Sequence, residues 1–345
     1  MARASDDDAL DWLHETHRTD GLPVVVPTES RVERILTGTR LAPAQSLGRV
    51  GPALGDATVE KVAINAVMAG CEPRHLPVVI ATVRAVCDPV MDMTEVQATT
   101  HNLGPMIIVN GPVRYTAGVA CGFGALGHGH RANLSIGRAL RLCLINIGGG
   151  WPGESDMALL GHPGKVSYCL GEDEESSPIT PLHTTRGFDA TQSAVTVVCV
   201  EAPHSVLAFL EADDPTMPDR ILDSVAGGLS NIGANNSHSG HGTVAVVLNP
   251  DHAGAIAAGG HTRASIAQAL FERAGVCVRD MRRVVPPARA HIYAGRADDE
   301  RLPALGSPDD IMLVVAGGTG LYSAVMPSWG AGPHSNQPVT VEVEQ

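Results

Sequence analysis

The chain has 345 residues, 44% of them hydrophobic but only 3% aromatic, so a sizeable core must be assembled from Ala, Val, Leu and Ile. A formal net charge of -13 opposes non-specific nucleic-acid binding and docking on an anionic membrane. The acidic N-terminus has no apolar signal core, no run reaches the length of a membrane span, and the seven cysteines form no CxxC pair. The expected location is therefore the reducing cytoplasm.

In chain order, residues 1–22 read as a polar tail with one short helix, and LPVVVP (22–27) as a strand. TVEKVAINAVMAG (58–70) has helical spacing, with Asp56 as cap and Gly70 as stop. LPVVIATVRAV after Pro73 fits a helix or, by its β-branched run, a strand. MIIVNGP (106–112) predicts a buried strand ending in a turn at Asn110-Gly111. RANLSIGRALRLCLINIGGG (131–150) is the clearest helix, entered from a glycine-rich loop and ended by Gly148-Gly149-Gly150.

A polar, turn-rich stretch follows from Trp151 to about Gln192. Beyond it lie a strand (194–203), a helix (218–233), a strand running into a helix (243–260), a helix (263–275), a strand (310–318) and a terminal alternating strand (339–344). Strands alternate with helices, which predicts an α/β fold of layered sheets flanked by helices, in one domain or two similar ones. The expected division is a tail over 1–22, an α/β domain over 23–190 and a second domain, or a continuation of the first, over 191–345. VVCVEAPHSVLAFL and VAVVLNPDHAGAIAA share one shape, open to a faint repeat but read here as two similar strand-to-helix crossings because the match is short.

Five regions carry chemistry. CGFGALGHGHRAN (121–133) has the G-x-G-x-x-G spacing at Gly122, Gly124 and Gly127, but the preceding strand ends too early for a dinucleotide fingerprint. A glycine loop opening a helix still suits a carboxylate or phosphate, with Gly127 at close approach and Arg131 and Arg138 supplying charge. ESDMALLGHPGKVSYCLGEDEESSP (154–178) concentrates Glu154, Asp156, His162, Lys165, Cys169 and Glu172 on an irregular segment. A desolvated Lys165 would steady negative charge or act as a base.

NIGANNSHSGHGTVAVVLNPDHA (231–253) holds His238, His241 and His252, with Asp251 beside the last. His238 and His241 stand three apart, a spacing open to a divalent metal, to polar turn roles or to acid–base and hydrogen-bonding roles, and it matches no specific zinc signature. QATTH (97–101) sets His101 before the strand that ends at Asn110. Cys121 is the cysteine best placed for reactivity, and the loop AGGTGLYSAV (316–325) offers Ser323 beside a small anion nest.

The ordered set QATTH, VNGP, GFGALGHGHRAN, IGRALRLCLINIGG, GHPGK and NPDHA resembles a bacterial family labelled UGSC-type or thioredoxin-like, over most of residues 45–344. The resemblance implies a shared site near His101, Asn110, Arg131, Asn133, Arg138, His162, Lys165 and Glu172. This chain lacks the UGSC, CGSC and CxxC motifs, so no redox role follows from the label.

The expected function is a lyase or hydrolase acting on a small polar, anionic molecule. His101, His162, Lys165 and Glu172 are its catalytic candidates; Asn110, Gly127, Arg131, Asn133, Arg138 and Ser323 bind substrate. Alternatives are a metal-dependent enzyme with a divalent metal on His238 and His241, an oxidoreductase, and a non-catalytic small-molecule binding protein. Expected partners are a small-molecule substrate and further copies in a homo-oligomer, with no nucleic acid and no membrane.

Overall fold

The computed structural model describes residues 5–239, 242–330 and 336–344. The helices in chain order are α1 (Asp6–Glu15), α2 (Glu29–Leu36), α3 (Val59–Met68), α4 (Leu76–Cys87), α5 (Met93–Ala98), α6 (Val113–Ala117) and α7 (Arg131–Asn146), then α8 (Met217–Leu229), α9 (Asn235–Ser239), α10 (Pro250–Ala258), α11 (Arg263–Arg273) and α12 (Val278–Val284). The strands are β1 (Ser46–Val50), β2 (Gly55–Thr58), β3 (Gly104–Asn110), β4 (Cys169–Gly171), β5 (Ala194–Val200) and β6 (His204–Leu207), followed by β7 (Val244–Leu248), β8 (Gly275–Cys277), β9 (Arg301–Pro303), β10 (Ile311–Val315), β11 (Tyr322–Met326) and β12 (Val339–Glu342). This is an α/β protein. No helix among the described residues is long and apolar enough to cross a membrane.

The chain forms two compact units that interleave in sequence rather than dividing at one point near 190. One comprises Met1–Glu172, His183–Cys199 and Gly332–Gln345, the other Asp173–Leu182 and Val200–Ala331. In the first unit the sheet order is β12-β5-β3-β4, with β3 parallel to β4 and β12 antiparallel to β5. Every residue of β3 and β5 is buried, as expected of strands covered on both faces. In the second unit the order is β10-β7-β11-β6, with β7 parallel to β10 and β6 antiparallel to β11.

The two orders correspond strand for strand. Just beyond each parallel pair the same backbone bond recurs: Glu172 N donates to Val109 O at 3.1 Å, and Ala316 N to Leu248 O at 3.0 Å. An asparagine then follows the central strand in each unit, Asn110 at the end of β3 and Asn249 after β7. The chain contributes three consecutive sheet strands to one unit and the fourth to the other, twice: β3, β4 and β5 with β6, then β7, β10 and β11 with β12.

Local chemistry explains most elements and several departures from expectation. Thr58, not Asp56, caps α3, its hydroxyl accepting from Lys61 N. The ambiguous LPVVIATVRAV stretch is the buried helix α4, with Pro77 in its first turn where a missing N–H costs nothing. LPVVVP forms no strand. HSVLAFL holds the edge strand β6 rather than a helix, so the two similar-looking crossings differ in structure.

Helix α7 is buried on nearly all sides and packs against α3 and α4. Gly137 permits its close approach to the chain entering β4: a Cβ there would lie 2.4 Å from Ser167 Oγ and 2.6 Å from Tyr168 N.

Candidate functional site

The cleft with the richest chemistry in the first unit is built from α7 and the irregular chain that follows it. It encloses about 640 Å³, lined among others by Asp20, Arg141, Trp151, Asp156, His162 and Lys165. The 151–156 turn closes on itself, Asp156 N donating to Trp151 O at 2.9 Å and Gly153 N to Asp156 O at 2.9 Å. That turn aims the Asp156 carboxylate at two cations. Lys165 Nζ donates to Oδ1 at 2.7 Å, and Arg141 Nη1 approaches Oδ2 at 3.5 Å. Arg141 Nε also donates to the Lys165 carbonyl.

The side chains of Arg141, Asp156 and Lys165 are only 8%, 6% and 14% exposed. Burial pushes both cations below their ordinary pKa, because the charged form loses hydration; Asp156 opposes that shift in each. Asp20, which lines the same cleft and is paired with Arg138, also favours the charged Arg141. The three cations Arg138, Arg141 and Lys165 against the two carboxylates Asp20 and Asp156 leave one positive charge in excess in a largely dry place. Such a cluster is made more favourable by an added anion.

The cleft walls are pinned from behind by the His101 loop. Met157 N donates to Gln97 O at 2.9 Å, Leu159 N to Thr100 O at 3.1 Å, and both Leu160 N and Gly161 N to Asn102 Oδ1 at 2.9 and 2.8 Å. His101 is thus in a buttress and does not line the cleft. Trp151 stacks flat on His17 at 4.3 Å between ring centroids. His162 lines the cleft, but its Nδ1 accepts from Gly164 N at 3.1 Å and its Nε2 is buried toward Gly104. Its ring is a wall, packed edge-on to Tyr168, rather than a group presenting a nitrogen to the cleft.

A second polar assembly occupies the carboxyl ends of β3 and β4, the end of a parallel sheet where α/β proteins commonly hold ligands. The fully buried Asn110 donates from Nδ2 to Oε2 of the equally buried Glu172 at 2.6 Å. Arg114, also buried, donates from Nη1 to the Glu172 carbonyl at 2.7 Å and from Nε to Gly111 O at 3.2 Å. Asn110 and Glu172 therefore meet each other, while His162 and Lys165 meet in the cleft.

The remaining candidates stand elsewhere. Asn133 is consumed by backbone: Nδ2 donates to Ala120 O and Ala125 O at 2.9 and 3.0 Å, and Oδ1 accepts from Ala120 N at 2.8 Å. It shapes the glycine loop instead of meeting a ligand. Gly127 lies on the exposed part of that loop. Arg138 grips Asp20 through Nε and Nη2 at 2.7 and 2.8 Å and also binds Leu22 O and Pro23 O. The polar stretch of residues 1–22 is therefore anchored at its end. Arg131 lines a different cleft, paired with Glu72 at 2.7 Å.

Ser323 belongs to the second unit, where its hydroxyl meets His252 Nδ1 at 2.7 Å and accepts from Asn249 N at 3.1 Å. His252 Nε2 faces Ala208 O at 3.1 Å, which makes Nε2 the protonated nitrogen and Nδ1 the acceptor. Burial lowers the pKa of His252, keeping it neutral.

His238 faces Ile232 O at 2.8 Å from an exposed position, and His241 lies outside the described residues. Among the described residues no three His, Cys, Asp or Glu side chains group as a metal site. All seven cysteines are free thiols. Burial pushes those of Cys71 and Cys169 far above the ordinary thiol range, which makes them poor nucleophiles.

Sequence reasoning missed Arg141, Trp151, Asp20 and Arg114. Arg141 stands in an apolar helix three residues after Arg138, and a charge within so buried a helix was the available signal. Asp156 was noticed as one acid among several, without a role.

No protein-family model, curated protein or solved structure matches this chain.

Proposed function

We propose that the protein is a lyase or hydrolase acting on a small anionic molecule held in the Arg141–Asp156–Lys165 cleft. The observation that carries this reading is the desolvated cluster with one cation in excess, opening onto a ligand-sized cavity.

A substrate carboxylate entering beside Arg141 neutralises the excess charge and orients the reacting part toward Lys165. In a hydrolase, water adds to the acyl carbon, loses its proton to solvent, and the carbonyl electrons collect on oxygen until their return expels the leaving group; in a lyase, the electrons of the broken bond pass into an enolate oxygen. Lys165 stabilises that oxygen by hydrogen bonding and gives its proton to the departing group in the first case or to the enolate in the second. A lowered pKa makes its ammonium a better acid than an ordinary lysine. Asp156 holds Nζ in place and keeps the charged form present. Ile145 and Trp151 supply apolar walls.

The test is turnover of a panel of small hydroxy acids, amides and esters bearing a carboxylate, in the wild type and in Lys165→Met, with folding checked by circular dichroism. Loss of turnover in a folded variant supports the reading. Undiminished turnover removes Lys165 from the chemistry, and binding without turnover of any member favours a small-molecule binding protein.

A further inference from the structure

The second cleft of the first unit encloses about 300 Å³ between α2, the end of α3 and the start of α7. Its lining includes Arg31, Arg34 and Arg131 against a single carboxylate, Glu72, and shares no residue with the Lys165 cleft. The lining charge is therefore three positive and one negative, a net of +2 in a chain whose overall charge is -13. Concentrating guanidinium groups around a concavity against the charge of the whole molecule favours a local anion.

The three arginines are in different states. Arg131 Nη1 donates to Glu72 at 2.7 Å, while its Nε and Nη2 bind Gly70 O at 3.3 and 3.0 Å. Arg31 Nη1 donates to Val26 O at 2.7 Å, with Asp6 3.6 Å from its other nitrogen. Arg34 makes no ion pair among the described residues. Val25, Ile35 and Val67 give the same cleft an apolar side. The cleft thus offers the guanidinium of Arg34, with Arg131 beside it held by Gly70 O and Glu72, at one part and a small hydrophobic surface at another.

We propose that this cleft binds the phosphoryl dianion of a small phosphate monoester, with Arg34 and Arg131 as its principal ligands. Two net positive charges match a dianion, and guanidinium forks match phosphoryl oxygens. Glu72 acts as a resident competitor: its carboxylate occupies Arg131 until a phosphoryl group displaces it.

Calorimetric titration of the full chain with inorganic phosphate, in a buffer free of other multivalent anions, tests this. Lys165→Met serves as a parallel background that disables the other cationic cleft. Phosphate binding is expected in both proteins. Arg34→Gln and Arg131→Gln should each weaken it about tenfold or more, the loss of a charged hydrogen-bonding partner. Glu72→Gln should strengthen it about tenfold by removing the competitor.

Absence of binding at millimolar phosphate in both wild type and Glu72→Gln overturns the site. Binding that is indifferent to Arg34 and Arg131, or that vanishes in a folded Lys165→Met protein, also overturns it. A titration with malonate decides the ligand class: malonate binding tighter than phosphate refutes the phosphoryl assignment.

Discussion

Lys165 and Arg141 share one carboxylate, but unequally: Asp156 receives Lys165 Nζ at 2.7 Å and Arg141 Nη1 only at 3.5 Å. Because all three side chains are largely buried, the carboxylate is the sole charge in the trio that makes two desolvated cations tolerable. Asp156→Asn keeps the shape and removes that charge. The expected loss is about 3–5 kcal/mol of unfolding free energy, the usual result of stranding a buried ion. Urea denaturation measures it. Adding Lys165→Met to Asp156→Asn should recover part of the loss, since one stranded cation then disappears. A loss confined to a few tenths of a kcal/mol would mean that the trio is hydrated in solution.

The same burial shapes the pH dependence of turnover. Lys165 is held below the ordinary lysine value of 10.5, with desolvation as the largest cause. As the proton donor it must be charged, so the rate should fall on the alkaline side with a midpoint below 10.5. Asp156 favours the ammonium, and its removal should move that midpoint further down. A pH–rate profile of wild type and Asp156→Asn checks both the position and the direction. An alkaline limb that Asp156→Asn leaves in place would exclude Lys165 as its source.

A separate pH effect belongs to stability. His75 is fully buried, its Nδ1 accepting from Glu72 N at 3.0 Å, and burial lowers its pKa from 6.5 to about 4. Glu72 opposes this shift, while Arg74 and Arg131 reinforce it. The unfolded chain therefore takes up a proton below pH 6.5 that the folded chain refuses until about pH 4. Stability from this group is intact above 6.5 and drains away as pH falls between those two values. Its share of the loss from pH 7 to pH 5 is about 2 kcal/mol. The difference in pH slope between wild type and His75→Leu isolates it, each protein being referenced to its own value at pH 7.

Much of the fold was legible because period and punctuation agreed. MIIV is an unbroken apolar run and AVTVVCV is interrupted only by Thr196, and they became the two buried central strands β3 and β5. RANLSIGRALRLCLIN, entered from a glycine loop and left through three glycines, became α7. The short strands were harder. β6 and β11 carry little apolar alternation, and each exists because an antiparallel neighbour supplies its hydrogen bonds.

The interleaving of the units was also unreadable, since nothing local in β12 says that its partner is β5. For the site, GHPGK carries Lys165 on a loop that the sequence singles out, but Arg141, which shares Asp156 with it, stands inside a helix. Asn133 and Arg138 looked like ligands for an anion. Their polar atoms instead satisfy the glycine loop and residues 20–23, a demand visible only once those backbone groups are buried.

Asn133 itself yields a prediction of the structural kind. Its side chain satisfies Ala120 N, Ala120 O and Ala125 O at once, from a nearly fully buried position. Asn133→Ala should cost about 2–3 kcal/mol, because groups left without partners are more expensive than the bonds are strong. Hydrogen exchange should rise first around residues 120–125. If the loss were instead spread evenly over the unit, the side chain would not be holding that loop in particular.

Gly137→Ala sets two effects of opposite sign against each other. In an exposed helix interior the change would stabilise by about 1 kcal/mol, through backbone entropy. In α7 the new methyl would lie 2.4 Å from Ser167 Oγ and 2.6 Å from Tyr168 N. The serine hydroxyl can rotate away, but the backbone nitrogen can yield only by moving the chain that enters β4. Overpacking of this kind costs about 1–3 kcal/mol, so the sum should be a net loss, smaller than the clash alone. Since Glu172 directly follows β4 and Lys165 lies shortly before it, the displacement should also reach both polar assemblies. Thermal unfolding gives the sign, and a chemical-shift comparison of residues 165–172 shows whether the strand has moved. A stabilised protein with unmoved shifts would mean that α7 and β4 are farther apart in solution than their backbones place them here.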